Sequence, residues 1–411
     1  MRFFIRNFGC RATQADGSEL GSALARAGCE PAHDCAGADL VILNTCTVTA
    51  SADDDVRRAV RRVRRENPAA RILVTGCYAQ RVPEEAAALP GVSWVVGNTD
   101  KMRIPEIVGV HGEPQAESLC HRTRPNLKIQ DGCNNRCAFC IIPSVRGPSR
   151  SVAPDRIVEQ VSGLGERYRE IVLSGVNLGR WGREPGIRMR LADLLRRLLA
   201  QTGVERLRLS SVEPMDLADG LLGLMASTPR IARHVHAPLQ SGSDAVLRRM
   251  RRWYRARHYA DRIRKARQWM PDAAIGADVM VGFPGETEAE FEETRLFIEG
   301  LPFTYLHVFT YSERPGTPAA EMADPVPIPE RKRRNRILRE LAARKNIEFR
   351  RSMIGKRLSA VTIEDGAAAL TTNYLKVALA RKREPNQIVE VELAEGLVEV
   401  RLDVPHILDS H

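Results

Sequence analysis

Leu127-Lys-Ile-Gln-Asp-Gly-Cys133-Asn-Asn-Arg-Cys137-Ala-Phe-Cys140 runs from an apolar-alternating segment through Asp131-Gly132 into three closely spaced cysteines. The thiols therefore fall on a loop leaving a strand. A CxxxCxxC loop can wrap three irons of a four-iron cluster and leave the fourth without a protein ligand, free to bind and reduce a small molecule. That arrangement is catalytic rather than one of storage. A zinc knuckle or a few buried thiols is the competing reading. Zinc asks for a fourth ligand nearby, and the nearest upstream histidine, His121, stands outside the loop.

Outward from the loop, strand-like runs at 127–130, 170–174, 207–211, 234–239, 277–282 and 305–311 are each followed by a helical pattern. Such a series predicts an incomplete parallel (β/α)6 barrel, with its chemistry at the carboxyl ends of the strands. The cysteine loop leaves the first of them. Upstream, residues 3–8, 40–43 and 71–74 read as strands and 20–27 and 56–66 as helices, a parallel α/β sheet unit. Gly9-Cys10, Asn44-Thr45-Cys46 and Thr75-Gly76-Cys77 follow its strands, and residues just past the carboxyl ends of parallel strands share one crevice. These cysteines are expected to converge as a second metal site with an open position; taken singly, each reads as a small buried residue. Cys29, Cys35 and Cys120 lack such placement and read as structural or incidental.

Downstream, Pro325, Pro327 and Pro329 mark a boundary, and 330–349 reads as a basic helix. Segments 358–363, 375–379, 388–393 and 398–402 alternate apolar with polar residues, which predicts a small antiparallel β-barrel. Tyr374, Lys376 and the Arg381-Lys382-Arg383 turn suit single-stranded RNA; a docking module without RNA contact is the open alternative. The expected fold class is α/β, in three parts. A parallel sheet domain occupies 1–115, the partial barrel with its basic helix 120–349, and the antiparallel barrel 350–411.

The chain has 411 residues, with 62 Lys plus Arg against 51 Asp plus Glu, a net charge of +11. A basic excess of that size suits a polyanionic partner, although an arginine- and alanine-rich composition inflates it without functional demand. Arg57, Arg58, Arg61, Arg62, Arg64 and Arg65 crowd one predicted helix, where Val56, Val60 and Val63 leave them on a solvated face. Arg331, Lys332, Arg333, Arg334 and Arg336 crowd another. A solvated face and RNA contact are both open for these residues. The N-terminus reads as a strand rather than a signal peptide, and no run approaches a membrane span. A cytoplasmic protein with reduced thiols is expected.

Beyond the cysteines, Leu127 to Cys133, Cys140-Ile-Ile-Pro-Ser-Val-Arg-Gly147 and Arg150-Ser151 resemble the radical S-adenosylmethionine loop of the methylthiotransferases. Gly9-Cys10, Asn44-Thr-Cys46 and Gly76-Cys77 are similar to that family's N-terminal domain, which binds an auxiliary cluster; the terminal barrel resembles its RNA-binding TRAM domain. The stretches 44–49, 238–243, 281–286, 305–309 and 314–317 resemble the branch acting on N6-threonylcarbamoyladenosine at position 37, next to the tRNA anticodon. Arg11-Ala-Thr-Gln14 departs from the family's usual Lys-x-Asn-Gln, and Asn177 stands where a histidine is common. The resemblance implies a transferase of sulfur-containing groups with two [4Fe–4S] clusters, one on Cys133, Cys137 and Cys140 and one on Cys10, Cys46 and Cys77. It implies that S-adenosylmethionine binds the loop cluster and yields a radical that takes hydrogen from C2 of the adenine, while the auxiliary cluster delivers a sulfur methylated by a second S-adenosylmethionine. Implied partners are the tRNA anticodon stem-loop, an electron donor such as flavodoxin or ferredoxin, and a sulfur source, with no membrane and a monomeric chain. The same chemistry on N6-isopentenyladenosine or on a ribosomal-protein aspartate, and a non-catalytic iron–sulfur RNA-binding protein, are the alternatives.

Strand-end groups are the candidates for contacts to S-adenosylmethionine. Gly175 lets backbone approach closely. Glu213 and Gln240 are placed to hold the ribose or amino group, and Asp278 or Arg146 to orient the tail. Against these stand plainer readings: Glu213-Pro214 as a turn, Asp278 as a barrel-interior ion pair. His236 and His307 stay unassigned, since a histidine on an inward strand position is more often a satisfied core residue.

Overall fold

The computed structural model describes residues 1–110 and 123–395; Cys120, His121 and the strand expected at 398–402 lie outside the described residues. The N-terminal region is an all-parallel sheet of β1 (Arg2–Asn7), β2 (Glu30–Pro31), β3 (Leu40–Thr45), β4 (Arg71–Gly76) and β5 (Val92–Val96) in the order β2-β1-β3-β4-β5. Its central strands are near-continuous apolar runs because both faces are covered. Leu40 and Ile42 pack with Leu20 and Leu24 of α1 (Arg11–Arg26), whereas Val41 and Leu43 pack with Val56 and Val60 of α2 (Ala50–Glu66). Helix α1 begins well before the expected residue 20. Its first turns are small and polar, so the apolar period is masked, yet Ala12, Thr13, Ala15 and Asp16 are buried. Strand β5 was not anticipated.

The barrel strands are β6 (Asn126–Asp131), β8 (Glu170–Gly175), β9 (Arg206–Leu209), β10 (His234–His236), β11 (Ala274–Val281) and β12 (Tyr305–Thr310), with β7 (Arg150–Ser151) paired antiparallel to β6. They form two sheets, β7-β6-β8-β9 and β10-β11-β12, bridged in parallel at Leu207 and Ile231. All six expected strands are present, in sequential order. Successive residues alternate between faces: Ile171, Leu173, Leu207, Leu209 and Val235 enter the apolar shell beneath the outer helices. Glu170, Arg206, Arg208, His234 and His236 are buried on the opposite, lumenal side. The lumen is polar, and its charges are paired.

The basic helix spans Ile328–Ser352 and seats Leu338 and Leu341 in the barrel core. Here the two arginine runs differ. Arg57, Arg58 and Arg62 of α2 pair with Glu85, Asp55 and Glu66 at the surface, as a solvated face requires. Arg334 is neither solvated nor free for RNA, because it is buried against Glu286, 2.8 Å away. Four antiparallel strands follow, β13 (Arg357–Ile363), β14 (Ala368–Thr371), β15 (Lys376–Ala378) and β16 (Ile388–Glu392), in the order β15-β14-β13-β16. Tyr374 is partly buried at a junction. Its ring stacks on His234 with centroids 4.3 Å apart, and its hydroxyl accepts a 3.0 Å bond from Arg11 Nη2, so it joins all three parts of the chain. Lys376 pairs with Glu364. Among the described residues no helix is long and apolar enough to cross a membrane.

Candidate active site

Each N-terminal cysteine sits immediately past or opening the element after a strand, and the sheet order brings β1, β3 and β4 side by side. Gly9, at φ +86°, lies against Cys46; a Cβ there would be 2.5 Å from Cys46 Cβ and 2.8 Å from its Sγ. Only glycine permits that approach. Cys46 is pushed up to about 12 by burial and by the neighbouring Cys10 and Cys77 thiols, the electrostatic mark of a converged triad. The flanking residues are all employed. Asn44 Nδ2 donates to Asn7 Oδ1 and the Thr13 carbonyl at 2.8 and 2.7 Å, Thr45 Oγ1 donates to the Thr75 carbonyl at 2.6 Å, and Thr49 caps α2 by accepting from Ala52 N–H. Thr47 Oγ1 donates to Asp53 at 2.6 Å.

Cys133, Cys137 and Cys140 converge on the loop after β6. Burial raises Cys140 to about 12 and raises Cys133 as well. N–H groups reach the sulfurs of both triads: Asn98 Nδ2 to Cys77 (3.7 Å), Asn135 N and Asn177 Nδ2 to Cys133 (3.4 and 3.7 Å), and Arg252 Nη1 to Cys137 (3.2 Å). Backbone N–H groups of Val48 and Ile142 serve Cys46 and Cys140. Thiol ligands surrounded by N–H donors suit iron–sulfur clusters, whose sulfurs accept such bonds. The two triads meet through one short helix, Ile142–Arg146. Ile141 and Val145 pack on Cys77, and Asn98 bonds the Val145 carbonyl at 2.8 Å as well as the Cys77 sulfur.

Of the predicted contacts to S-adenosylmethionine, Glu213 joins the loop triad, since Arg252 donates to both its carboxylate and Cys137. Gln240 sits beside Asp278, donating its N–H to that residue's carbonyl at 2.8 Å. Its buried Oε1 has no partner among the described residues, as is true of Asn177 Oδ1 and Ser210 Oγ at neighbouring strand ends. Such orphaned atoms need a ligand or water, and they fit the amino and hydroxyl groups of S-adenosylmethionine. Asp278 lies between two histidines. Burial raises its carboxyl, but His236 and His307, 3.3 and 3.1 Å away, outweigh this and hold it well below the usual range. Arg146 lies apart from the others, bridging Asp16 and Asp131 at 2.9 and 3.0 Å. Gly175 is needed by a side chain: a Cβ there would be 2.9 Å from Gln130 Oε1. Gln130 in turn donates to the Gly132 carbonyl at 2.8 Å and accepts from Asn177 N–H at 2.7 Å, fixing the start of the cysteine loop.

Gln130, Asn98, Asp16 and Arg252 escaped the sequence reading. Only Arg252, in the run Arg251-Arg252-Trp253-Tyr254, stood in a composition that could have drawn attention. Cys29 lies in the sheet core and Cys35 donates to Glu66 at 3.2 Å, in keeping with structural roles.

Family models match over two stretches, the radical SAM superfamily at residues 127–298 and the uncharacterized protein family UPF0004 at residues 2–97. The chain is 36% identical to the threonylcarbamoyladenosine tRNA methylthiotransferase MtaB of Aquifex aeolicus, over 95% of this chain and 100% of that protein. It is 33% identical to the tRNA-2-methylthio-N(6)-dimethylallyladenosine synthase of Endomicrobium trichonymphae, over 97% and 98%. Among solved structures, the radical S-adenosylmethionine methyltransferase TsrM of Kitasatospora setae shares the fold at 15% identity, with a TM-score of 0.56 over 78% of this chain and 76% of that one. The chain belongs to the radical S-adenosylmethionine tRNA methylthiotransferase family.

Proposed function

We propose that the chain replaces the hydrogen at C2 of N6-threonylcarbamoyladenosine, at position 37 of tRNA beside the anticodon, by a methylthio group. The observation that carries this reading is the junction of two thiol-only triads across the helix Ile142–Arg146. An aromatic C–H of this kind is neither acidic nor electrophilic, so acid–base side chains alone do not convert it. The family's cofactors are S-adenosylmethionine and [4Fe–4S] clusters, which when bound supply a 5′-deoxyadenosyl radical, a sulfur atom and a methyl group.

The chain's own part is to hold and to exclude. Cys133, Cys137 and Cys140 would hold one cluster, and Cys10, Cys46 and Cys77 the other. Gln240 Oε1, Asn177 Oδ1 and Ser210 Oγ receive the amino and hydroxyl groups of S-adenosylmethionine, while Glu213 acts through Arg252. Positioning of this kind brings one target atom within reach before solvent competes. The parts at 1–115, 120–349 and 350–411 serve as auxiliary-cluster domain, radical barrel and RNA-binding module. The protein acts as a monomer in the cytoplasm, with an electron donor of the flavodoxin or ferredoxin class and a separate sulfur source.

The substrate assignment is supported by the names of relatives from Aquifex aeolicus and Bacillus subtilis, both 36% identical. Relatives named for the dimethylallyl substrate align at similar identity, so N6-isopentenyladenosine is the second reading. tRNA nucleosides from a deletion strain, measured by mass spectrometry, will lack 2-methylthio-N6-threonylcarbamoyladenosine and accumulate its unthiolated precursor. Loss of the methylthio isopentenyl nucleoside instead would move the assignment to the second reading. An unchanged profile would sink both.

A further inference from the structure

The segment Met250 to Tyr254 is pinned to the cysteine loop on alternate residues. The Met250 carbonyl accepts from Ala138 N–H at 3.0 Å, and Arg252 donates to Cys137 Sγ at 3.2 Å. Tyr254 is buried, and its hydroxyl donates to the Leu239 carbonyl at 2.6 Å. With those three turned inward, Arg251 and Trp253 are left outward. Arg251 adopts a left-handed φ of +56°, a conformation that costs a non-glycine residue free energy and clusters at functional sites. Trp253 is 77% exposed, the most exposed of the large apolar side chains among the described residues. An indole so placed gains nothing from folding.

Arg136, immediately before Cys137, faces the same space. Together Arg136, Arg251, Arg252 and Trp253 line an open cleft of about 340 Å³ at the edge of the cysteine loop. Arg136 and Arg251 are exposed, and among the described residues neither has an ion-pair partner. In this they differ from Arg57, Arg58 and Arg62 of α2, which pair with nearby carboxylates. The cleft thus combines a free π-face with two unneutralised guanidinium groups.

We propose that Trp253 is a stacking platform for one unpaired nucleotide of the RNA substrate, with Arg136 and Arg251 on its flanking phosphates. Base–aromatic stacking is indifferent to base identity, and arginine contacts fix the backbone, so the platform sets position rather than sequence. Because its segment is bonded to the cysteine loop through Ala138 N–H and Cys137 Sγ, and Arg136 stands on that loop, a nucleotide held there is registered against the radical site. This inference rests on the reading that RNA is the substrate.

The test uses the reconstituted full-length holoenzyme under anaerobic conditions and an anticodon stem-loop RNA carrying N6-threonylcarbamoyladenosine at position 37 as probe. Trp253→Ala is expected to weaken RNA binding about tenfold, with Trp253→Phe recovering most of the loss. Arg136→Ala and Arg251→Ala are each expected to lower the slope of log affinity against log salt by about one. RNA-independent release of 5′-deoxyadenosine reports whether the loop is intact and is expected to match wild type for Trp253→Ala. If wild type binds the RNA and Trp253→Ala binds it equally well, the platform is refuted while the substrate reading stands; if wild type does not bind RNA, the substrate reading itself fails. Unchanged RNA affinity with a raised KM for an acidic flavodoxin-type reductase would also overturn the proposal, assigning the cleft to the electron donor.

Discussion

Arg252 illustrates how one side chain ties the loop triad to the barrel. Its guanidinium donates to Cys137 Sγ at 3.2 Å and to the Glu213 carboxylate, with its ring-facing side over Tyr254 at 5.0 Å. Burial opposes its charge, but Tyr254, Glu213 and Cys137 outweigh burial and hold the guanidinium firmly protonated. A cation donating to a ligand sulfur stabilises the reduced, more negative cluster over the oxidised one. Arg252→Gln removes the charge and leaves Glu213 as an anion near the same sulfur. The reduction potential of the cluster on Cys133, Cys137 and Cys140 is therefore expected to fall by on the order of 50 mV, equivalent to about 1 kcal/mol for one electron. A reductive titration followed by electron paramagnetic resonance reads this directly. An unchanged or higher potential would show that the Arg252–Cys137 contact does not tune the site.

At the scale of elements, the base of β8 and β9 carries the C-terminal sheet. Glu170, fully buried, pairs with Arg208 at 2.7 Å, Arg124 at 3.1 Å and Arg206 at 3.5 Å. Arg208 also donates to the Thr371 and Thr372 carbonyls, and Arg206 to Ser359 Oγ at 2.7 Å. Burial raises the Glu170 carboxyl, but Arg208, Arg124 and Arg206 prevail and lower it to about 2. Its folded value lies below the unfolded value of about 4.3, so its contribution is fully present above that pH and is lost as pH falls toward about 2. Glu170→Gln leaves three guanidinium groups over a neutral amide and is expected to cost about 3–5 kcal/mol at neutral pH. In denaturant titrations of chelator-treated protein, the gap between wild type and variant should close between about pH 4.3 and 2. A gap independent of pH would show that packing, not charge, holds this joint. The same elements show what the sequence could reveal. Apolar strands such as Leu40–Thr45, and thiols just past their ends, were legible because burial and strand topology act locally along the chain. Glu170, Arg206 and Arg208 read simply as strand residues, since their partners lie up to 164 positions away. Arg334 looked like one more cation in a basic run for the same reason, its partner Glu286 being 48 positions upstream. Tyr374 reads as suiting RNA, and nothing nearby announces His234 as its neighbour.

Across the whole molecule, two sites in different domains must be held in one geometry, and two buried charge clusters span the gap between them. Asp16 of α1 accepts from Lys101 and Arg146, each at 2.9 Å, and from Lys128; Lys128 and Arg146 in turn bind Asp131 at the start of the cysteine loop. Burial raises the Asp16 carboxyl, but Lys101, Arg146 and Lys128 hold it well below the usual range, while burial lowers Lys101. On the other side, Asp53 accepts from Arg81 and from Arg314, both at 2.6 Å, and Asp53 also binds the Thr47 hydroxyl beside Cys46. Removing Asp16 would strand three cations, two of them almost fully buried. Arg314 is the better probe, because Asp53 keeps Arg81 and Thr47 when it is lost. Arg314→Met is expected to loosen the joint without unfolding either side, leaving release of 5′-deoxyadenosine within about twofold of wild type. Misplacement of about 1 Å costs on the order of a hundredfold in a positioned reaction. Methylthiolated nucleoside formed per 5′-deoxyadenosine released should therefore fall by about tenfold to a hundredfold. A fall in both products together would instead indicate damage to the loop triad. An unchanged ratio would show that Asp53 and Arg314 do not register the auxiliary triad against the radical site.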